Sequence, residues 1–586
     1  MNVEIIGRND IDDVRGCFLK NRGIRDVKKY TRLTESVVND FNDLDNIDKA
    51  VKCYLDFVQD VPKEFGHALS ILVDCDCDGF TSAAILYNYT KQLNPELKIH
   101  YLLHTGKQHG LSDDITIPED TGLLIIPDAG SNDVEQCKLI SETMCVIIVL
   151  DHHQYDVQNH YAIVVNNQSS DNYSNKELCG AGVVYQFLRA VDEELWTENA
   201  DNYLDLVALG NIADVMDMRS YETKYLVEKG LKQIINGAFE AFVSAKSWDI
   251  GGNLNINSVA WNIAPMINAL CRVGTQEEKE ILFKALIGDE NDEYEYKHKD
   301  PETNKFIKDY EDVYVHAARV AGNAKARQDK IVRKVFSQVC DWIEEHDAQD
   351  DAIIFARYPD SGNTELTGLI AIRVANKYRK PTLIIHQNMD DEGMVYWSGS
   401  GRNFDNSPID SFKELLDKSG LFEYVAGHDN AFGLKIKGEN VKAAIEYCND
   451  VCKDIDFSTY KCDFGLDYEN NLDLLFIRDV DNLKNYIGAG LKEPLVFLND
   501  VILKRDEGEI CGKEMSTWRF TVPDHDDIVI IKFLNKPNDK VLKWLEDDSG
   551  SDEMIINVVC KVAFNEFNKI VTPQVQVIDY DVIEYR

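Results

Sequence analysis

The stretch 71–86, ILVDCDCDGFTSAAIL, constrains this chain more than any other. Its first three residues are apolar and indicate a buried strand, and segment 82–89 is typical of a helix. Between them lie three aspartates at alternate positions, Asp74, Asp76 and Asp78. In an extended chain this alternation points all three carboxylates to one side, where they repel unless a cation binds or their pKa values rise. Taken alone, the stretch also fits an acidic turn with an aspartate as helix cap.

Three further stretches repeat the pattern of an apolar run that ends in carboxylate or imidazole side chains. LLIIPDAG places Asp128 after a strand, VIIVLDHHQYD places Asp151, His152 and His153 after another, and VALGNIADVMD carries Asp214. Such ligands suit Mn²⁺ or Mg²⁺, and the imidazoles favour Mn²⁺. The candidate ligands are numerous enough for two ions that share a bridging carboxylate. Paired divalent cations of this kind imply phosphoester hydrolysis.

The overall composition limits the class of protein. With 586 residues the chain is expected to form three or four domains, and its hydrophobic content of 44% is ordinary for a folded soluble protein. No apolar run approaches the roughly 20 residues that span a bilayer, and the N-terminus resembles no export signal, so we expect a cytoplasmic protein without membrane contact. The fourteen cysteines are scattered, which favours reduced thiols. Cys75 and Cys77 are expected to be packing residues.

The formal net charge of −40 is unusual for a protein that binds nucleic acid, because such proteins are expected to carry a basic footprint. Two interpretations stay open. The chain is either a metal-dependent enzyme with a local basic track on an acidic body, or a protein that avoids polyanions. Total charge does not decide between them, since electrostatic focusing is local.

The order of predicted elements gives an α/β fold. Strands and helices alternate between residues 71 and 165, which predicts a parallel sheet with helices on both faces. A connector helix is predicted over 306–346, a second strand–helix set begins at 352, and β-rich runs after 462 suggest a small barrel. We therefore predict five segments: an N-terminal helical segment (1–50), a parallel-sheet domain (51–300), a connector helix (301–348), a smaller α/β domain (349–460) and a C-terminal β-barrel (461–586).

The motif order DCDCDGFTS, PDAG, DHH and NIADV resembles the DHH phosphoesterase superfamily. Further segments are similar to the subgroup of RecJ-type single-strand-specific exonucleases: WNIAPMINALCRVG (261–274), LTGLIAIRVANKYRKPTLII (366–385), SGSGRN (398–403) and VAGHDNAFGL (425–434). The resemblance implies a DHH catalytic domain, a DHH-associated substrate-binding domain and an oligonucleotide-binding (OB-like) barrel at the C-terminus.

The resemblance also implies roles for individual residues. Asp76 and Asp78 would bind two ions with Asp74 beside them, and Asp128 would bridge the ions. His152 and Asp214 would complete the second ion's ligands. His153 would face the scissile phosphate, and Asp151 would orient both histidines. Leu72 stands where some relatives have a histidine, so Asp74 or water would serve one ion instead.

A second set of residues would bind substrate phosphates by the same resemblance. Its members can each donate hydrogen bonds to phosphate oxygens: Asn268, Arg272, Arg373, Ser400, Arg402 and His428. The chain departs from the family pattern at Met266, where arginine is usual, and at Cys271 and Ala426, where glycine is usual. These departures bear on substrate preference and strand polarity more than on hydrolysis.

The resemblance implies an exonuclease that degrades single-stranded DNA from the 5′ end to 5′-mononucleotides, with two divalent cations, Mn²⁺ preferred and Mg²⁺ accepted. Implied partners are single-stranded DNA and a single-strand-binding protein or helicase, with a monomer acting in a bacterial or virus-infected bacterial cell. Two alternatives stay open: a phosphodiesterase for short oligonucleotides or cyclic dinucleotides, and a non-catalytic replication scaffold. Aromatic residues of the tail could stack on bases, but core packing is the favoured interpretation for Trp518, Phe520 and Phe533.

Overall fold

A computed structural model describes the chain. It covers residues 1–586 except 60–65, 107, 113–114, 144, 156, 301, 360–363, 390–392, 406, 469–471, 513–514, 523–527, 534–535, 537, 548–549 and 568. The chain divides into two compact units. We call Ile24–Gln328 with Asn485–Lys492 unit A, and Met1–Gly23, Asp329–Lys484 and Glu493–Arg586 unit B.

Unit A is built on a five-stranded sheet in which all neighbouring strands are parallel, as the sequence predicts. In spatial order the strands are Ile99–Leu103, Ala68–Val73, Thr121–Pro127, Val146–Asp151 and Ile163–Asn166. The strand Ala68–Val73 is buried at every position, because helices cover both faces of a parallel sheet of this kind.

The helices of unit A supply the covering layers and extend beyond the sheet. The α-helices are Val27–Tyr30, Ile47–Gln59, Cys77–Leu93, Val134–Ser141, Gly180–Leu195, Leu204–Ala213, Tyr221–Leu231, Gly237–Ala245, Ser247–Ile250, Ile256–Ser258, Ala264–Val273 and Gln276–Leu286. Short 3-10 turns lie at Glu35–Val37, Phe41–Asp43 and Ala200–Tyr203, and a π-helical turn lies at Val259–Ile263.

The predicted connector helix begins later than the sequence suggests. Residues 306–311 belong to a two-stranded antiparallel hairpin, Tyr294–Lys299 with Phe306–Glu311, and the helix runs over Val313–Glu345. The prediction of helix over 306–311 is wrong because these residues pair with a strand that the sequence pattern does not reveal. In the hairpin, half-buried and exposed side chains alternate along Tyr294–Lys299, as a ribbon with one covered face requires.

The described residues of unit B form three sheets that share no strand. The first has five strands in the spatial order Phe422–His428, Ala431–Lys437, Val395–Arg402, Thr382–Met389 and Ile354–Arg357, and only the last pair is parallel. The α-helices that accompany it are Thr367–Tyr378, Phe412–Asp417 and Val441–Val451. A small parallel pair joins Val3–Ile5 to Tyr460–Cys462, and the helix Val14–Asn21 follows the first of these strands.

The C-terminal region is rich in β-structure, in agreement with the sequence. Its seven-stranded sheet has the order Phe464–Asp467, Val496–Lys504, Glu553–Phe567, Ile570–Tyr585, Ile528–Lys532, Thr517–Val522 and Gly508–Cys511. Two α-helices, Leu474–Asp481 and Lys540–Glu546, lie in the same region. Trp518 and Phe520 are buried, which confirms core packing, whereas Phe533 is 52% exposed and does not follow that prediction.

All fourteen cysteines are free thiols, and Cys75 and Cys77 are both buried, as expected of packing residues. Among the described residues, no helix combines the length and the apolar character needed to cross a bilayer.

The buried sheet of unit A yields a stability prediction. Leu124 is fully buried in the strand Thr121–Pro127, so Leu124→Ala removes core methyl groups and leaves a cavity. We expect it to lower the free energy of unfolding by about 2–5 kcal/mol in chemical denaturation followed by circular dichroism. Leu139→Ala is the matched control, because Leu139 is 65% exposed. If Leu124→Ala lowers the free energy of unfolding no more than the control does, the placement of Leu124 in the core of unit A would be contradicted.

Candidate metal centre

Polar side chains of unit A gather at one edge of the parallel sheet. Asp74 directly follows the strand Ala68–Val73, Asp128 follows Thr121–Pro127, and Asp151 ends Val146–Asp151. These three strands are neighbours in the sheet. Because the strands are parallel, their carboxyl ends meet at one edge, where open α/β sheets bind ligands.

The first aspartate cluster is a tight turn and not an extended segment. The strand ends at Val73 and the helix begins at Cys77, with Asp76 as N-cap, whose Oδ1 accepts a hydrogen bond from Gly79 N (3.0 Å). The expectation that the three carboxylates point to one side through strand alternation is therefore wrong. The predicted helix start at 82 is also wrong, because the cap lies before residue 77.

Asp74 is buried against a loop that the sequence analysis did not single out. Its Oδ2 lies 2.6 Å from His109 Nδ1, and its Oδ1 accepts a hydrogen bond from Gly110 N at 2.9 Å. His104 Nε2 lies 3.9 Å from Asp74 Oδ1. Three side chains here are close enough to share a metal ion. Asp74, Asp76 and His109 each offer one ligand atom, and these atoms lie within 4.8 Å of one another.

Asp78 is buried at the N-terminus of the helix Gly180–Leu195. Gly180 N donates to its Oδ2 (2.6 Å) and Ala181 N donates to its Oδ1 (3.0 Å). Backbone N–H groups at a helix N-terminus stabilise a negative charge, so this helix holds the carboxylate in place. The fit is close, because a Cβ at Gly210 would lie 2.5 Å from Asp78 Oδ1.

Asp128 is positioned by backbone strain and by close packing. It has a left-handed φ of 66°, which is uncommon outside glycine, and its N–H donates to Leu150 O (2.8 Å) in the adjacent strand. A Cβ at Gly180 would lie only 2.4 Å from Asp128 Cβ, so glycine is required there. Val215, next to Asp214, has a φ of 60°, an outlier for a β-branched residue. Strain of this kind often accompanies functional sites.

His152 lies where the carboxylates converge. Its Nε2 is 3.2 Å from Asp128 Oδ1 and 3.4 Å from Asp214 Oδ2. These two carboxylate oxygens are buried and accept no hydrogen bond from the described residues. Two ligand sets are spaced closely enough to hold a metal ion: Asp78, His152 and Asp214 form one, and Asp128, His152 and His153 form the other.

The electrostatics of this cluster are unfavourable in the protein alone. Burial raises the pKa of Asp78 and, together with the charges of Asp76 and Asp78, raises the pKa values of Asp128 and Asp214 well above the usual range. A raised carboxyl pKa means that the folded protein disfavours the ionised form. Near neutral pH the cluster therefore costs folding free energy unless positive charge neutralises it.

Asp151 and His153 form an ion pair at the edge of the cluster. Asp151 is buried and accepts hydrogen bonds from His152 N, His153 N and Ser131 N, and its Oδ1 lies 2.8 Å from His153 Nδ1. Burial disfavours both charges, but the contact outweighs burial. It lowers the pKa of Asp151 and raises the pKa of His153 to about 10. The His153 side chain is 52% exposed, so its other face is accessible.

Of the predicted phosphate-binding residues, only Asn268 and Arg272 lie in unit A. Both belong to the helix Ala264–Val273, and Asn268 Oδ1 accepts a hydrogen bond from Cys77 N (3.0 Å). Asn268 therefore holds the aspartate turn, a role that the sequence did not suggest. Arg272 is half-buried in the last turn of the helix.

The other four predicted phosphate-binding residues lie in unit B. Ser400 and Arg402 are on the strand Val395–Arg402, where Ser400 Oγ is 2.9 Å from Thr367 Oγ1 and Arg402 Nη1 donates to Gly401 O (2.7 Å). Arg373 Nη2 is 3.9 Å from Asp329 Oδ1, and His428 is exposed at the end of Phe422–His428. Ser400 and Arg402 are near one another, since a Cβ at Gly368 would lie 2.6 Å from Arg402 Nη2 and 3.6 Å from Ser400 Oγ.

The sequence analysis missed several residues that shape the site: His104, His109, Gly180 and Gly210. The two histidines follow the strand Ile99–Leu103, so the rule that located the other ligands, a strand followed by ligand-type side chains, also applies to them. The glycines carry no such signal, because their importance comes from contacts between distant segments.

Comparison with known proteins places this site in a family. The model of the DHH family, N-terminal domain, matches residues 68–211. The SPbeta prophage-derived protein YorK of Bacillus subtilis (strain 168), assigned as a single-strand DNA-specific exonuclease, is 36% identical over 587 residues, which cover 100% of this chain and 98% of YorK. The single-stranded-DNA-specific exonuclease RecJ of Haemophilus influenzae is 24% identical over 72% of this chain and 71% of its own length.

Solved structures support the same relationship at the level of fold. The crystal structure of RecJ from Thermus thermophilus in complex with Mn²⁺ matches with a TM-score of 0.70 and 19% identity, covering 97% of this chain and 76% of that chain. Its complex with Mg²⁺ matches with a TM-score of 0.65. Together with the full-length match to YorK, these findings show that the chain belongs to the DHH phosphoesterase superfamily, in the group of RecJ-type single-strand-DNA-specific exonucleases.

Proposed function

We propose that this chain hydrolyses single-stranded DNA from the 5′ end and releases 5′-mononucleotides, with divalent cations held by the carboxylate–imidazole cluster of unit A. The observation that carries the proposal is the convergence of Asp128 Oδ1 and Asp214 Oδ2, both buried and without a hydrogen-bond donor among the described residues, on His152 Nε2. Membership of the RecJ-type group supports the same activity and substrate.

The donor set fits divalent cations. Buried carboxylates with raised pKa values are stabilised by a bound cation, and oxygen ligands with one or two imidazoles suit Mn²⁺ and Mg²⁺. Two of the three ligand groups share no residue and support two ions. Asp78, His152 and Asp214 would hold one, Asp74, Asp76 and His109 would serve the other, and Asp128 would bridge them. His109 would then take the place of the histidine that relatives carry at the position of Leu72.

A pair of bound cations would supply an activated water and offset the charge that builds on the phosphate. The protein's own residues perform the remaining tasks. Asp151 keeps His153 Nδ1 occupied, which leaves the exposed side of the imidazolium ring to donate to a phosphate oxygen. The helix N-terminus at Gly180 orients the Asp78 carboxylate and offsets part of the cost of burying its charge.

The proposal extends to residues outside the cluster. Arg272 in unit A and Arg373, Ser400, Arg402 and His428 in unit B would contact the phosphates of the strand, whereas Asn268 would act by holding the turn that contains Asp76. We also propose that the protein acts as a monomer and works with a single-strand-binding protein or a helicase that supplies its substrate.

Digestion of end-protected strands tests the activity. Single-stranded 30-mers blocked at the 5′ or the 3′ end, and a duplex of the same sequence, are incubated with Mn²⁺ or Mg²⁺. We expect mononucleotides from the strand with a free 5′ end and little product from the 5′-blocked strand or the duplex. Hydrolysis of dinucleotides alone would favour a short-substrate phosphodiesterase, and no hydrolysis with either metal would contradict the proposal.

Asp128→Asn tests the bridging carboxylate. Asparagine has the shape of aspartate and tolerates the left-handed backbone. The substitution is expected to lower the hydrolysis rate more than about 100-fold and to weaken Mn²⁺ binding in calorimetry. The metal-free variant is expected to melt no lower than wild type, because a buried like charge is removed. Asp171→Asn is the control, since Asp171 is exposed. Near-normal turnover in Asp128→Asn would refute the bridging role.

Gly180→Ala tests the packing that positions Asp128. A methyl group at residue 180 would displace the Asp128 backbone and side chain, and a displacement near 1 Å is enough to reduce turnover about 100-fold. Gly182→Ala in the same helix is the matched control, because the atoms nearest to its methyl group would belong to the Leu178 side chain, at 3.0 Å, and not to a carboxylate of the cluster. Equal activity of the two variants would show that the close approach at Gly180 is not needed.

A further inference from the structure

The hairpin of unit A, Tyr294–Lys299 with Phe306–Glu311, has two faces of different character. Its register pairs Tyr294 with Glu311 at one end and Lys299 with Phe306 at the other. Because side chains alternate along each strand, every second pair lies on the same face. We call the face that carries Tyr294 and Tyr296 the inner face, and the opposite one the outer face.

The inner face packs on the start of the helix Val313–Glu345. The Tyr294 ring stacks on His316 with centroids 4.3 Å apart, and the Arg319 guanidinium lies 4.9 Å from the Tyr296 ring centroid. His316 Nδ1 is also 2.7 Å from Glu311 Oε1. These contacts explain why the hairpin forms, since an isolated two-stranded ribbon is marginally stable in water.

The outer face is exposed and combines lysines with aromatic rings. Its cross-strand pairs are Glu295 with Tyr310, Lys297 with Lys308, and Lys299 with Phe306. All six residues are exposed, and Phe306 and Tyr310 are exposed by 70% and 62%. The face thus carries three lysines, two aromatic rings and one glutamate.

This arrangement does not favour folding. Lys297 lies directly opposite Lys308, and like charges in such a pair destabilise a sheet. Lys308 Nζ also forms an ion pair with Glu295 Oε2 at 2.8 Å. The ion pair offsets the repulsion between the two lysines only in part, because exposed ion pairs contribute little to stability. Exposed Phe306 and Tyr310 also gain nothing from burial. The composition of the face is therefore better explained by an interaction than by stability.

The sign of the charge identifies the kind of partner. The chain has 102 acidic and 62 basic residues, yet lysines outnumber acids on the outer face by three to one. A cationic surface with exposed aromatic rings is what proteins use to hold single strands, because phosphates meet the cations and unpaired bases stack on the rings. Lys299 Nζ lies 5.6 Å from the Phe306 ring centroid, so both kinds of contact are available at one point.

We propose that the outer face of this hairpin is a binding surface for single-stranded DNA. Phe306 and Tyr310 stack on bases, and Lys297, Lys299 and Lys308 contact phosphates. The inference rests on the proposed function for the identity of the strand. The surface shares no residue with the carboxylate–imidazole cluster, so it holds the strand and takes no part in cleavage.

Two hairpin variants test the surface. The first is Lys297→Gln/Lys299→Gln/Lys308→Gln, and the second is Phe306→Ala/Tyr310→Ala. Binding of a 5′-fluorescein-labelled 30-mer of thymidylate is followed by fluorescence anisotropy in EDTA over a range of NaCl concentrations. We expect the lysine variant to bind at least 10-fold more weakly at low salt. The slope of log Kd against log salt should shrink by about 2, since each phosphate contact to a single strand contributes about 0.7.

The aromatic variant separates stacking from charge. It is expected to bind about 10-fold more weakly with an unchanged salt slope, because stacking releases no counterions. A duplex of the same length should bind weakly to wild type and lose little on aromatic substitution, since its bases are already stacked. Equal losses for single strand and duplex would overturn the assignment to single strands.

The matched control is Lys49→Gln/Lys52→Gln/Lys138→Gln, which makes the same charge change at exposed lysines of unit A outside the hairpin. This control is expected to stay within about twofold of wild type. An equal loss in the control would mean that only net charge matters and would overturn the proposal, as would unchanged affinity in both hairpin variants. Thermal melting checks that the variants fold.

Cleavage assays keep this inference separate from the proposed function. If the wild-type protein digests single strands, the lysine variant is expected to have a higher KM and an unchanged kcat. The reason is that the surface binds the strand and does not act on the reacting atoms. A fall in kcat at unchanged KM would overturn the proposal. If the wild-type protein cleaves nothing, but both hairpin variants bind single strands more weakly than it does, the binding surface would be supported and the nuclease assignment would be refuted.

Discussion

The repulsion among buried carboxylates at the edge of the parallel sheet is the constraint on which the structure of unit A depends. Asp78, Asp128 and Asp214 approach one another around His152 with too little positive charge of the protein to balance them. The N-terminus of a helix at Gly180 offsets part of this cost, whereas the left-handed backbone at Asp128 adds strain to it. Cations between the carboxylates would relieve this repulsion, so metal binding at the site would stabilise the fold.

The parallel sheet explains how ligands that are far apart in sequence meet. The three strands that carry the ligands are almost wholly buried and end at the same edge of the sheet, so the first polar residue after each strand lies beside its neighbours. Asp74, Asp128 and Asp151 occupy these positions, and Asp214 approaches from the end of the helix Leu204–Ala213. Glycines permit the close approach, because a side chain at residue 180 or 210 would fill the space that a carboxylate occupies.

The sequence predicts the parts of this structure that depend on local patterns. Apolar runs locate the strands, and the residues that follow them locate Asp74, Asp128 and the Asp151–His153 segment. Contacts between distant segments were not predictable. The hydrogen bond from Cys77 to Asn268 and the packing of Gly180 on Asp128 join residues more than 50 positions apart. The second strand of the hairpin, 306–311, is predicted as helix because its pairing with residues 294–299 leaves no distinct apolar period.

The net charge of −40 does not exclude a DNA substrate, because electrostatic interactions in salt are local. At physiological ionic strength the Debye length is about 8 Å, so acidic residues on remote surfaces are screened from the path of a strand. What matters is the charge within that distance. Divalent ions would offset most of the negative charge of the cluster, and the outer face of the hairpin presents three lysines with one glutamate. An acidic surface elsewhere would repel strands that approach it, which would favour contact with the metal-bound cluster, the outer face of the hairpin and the other residues proposed to bind phosphates.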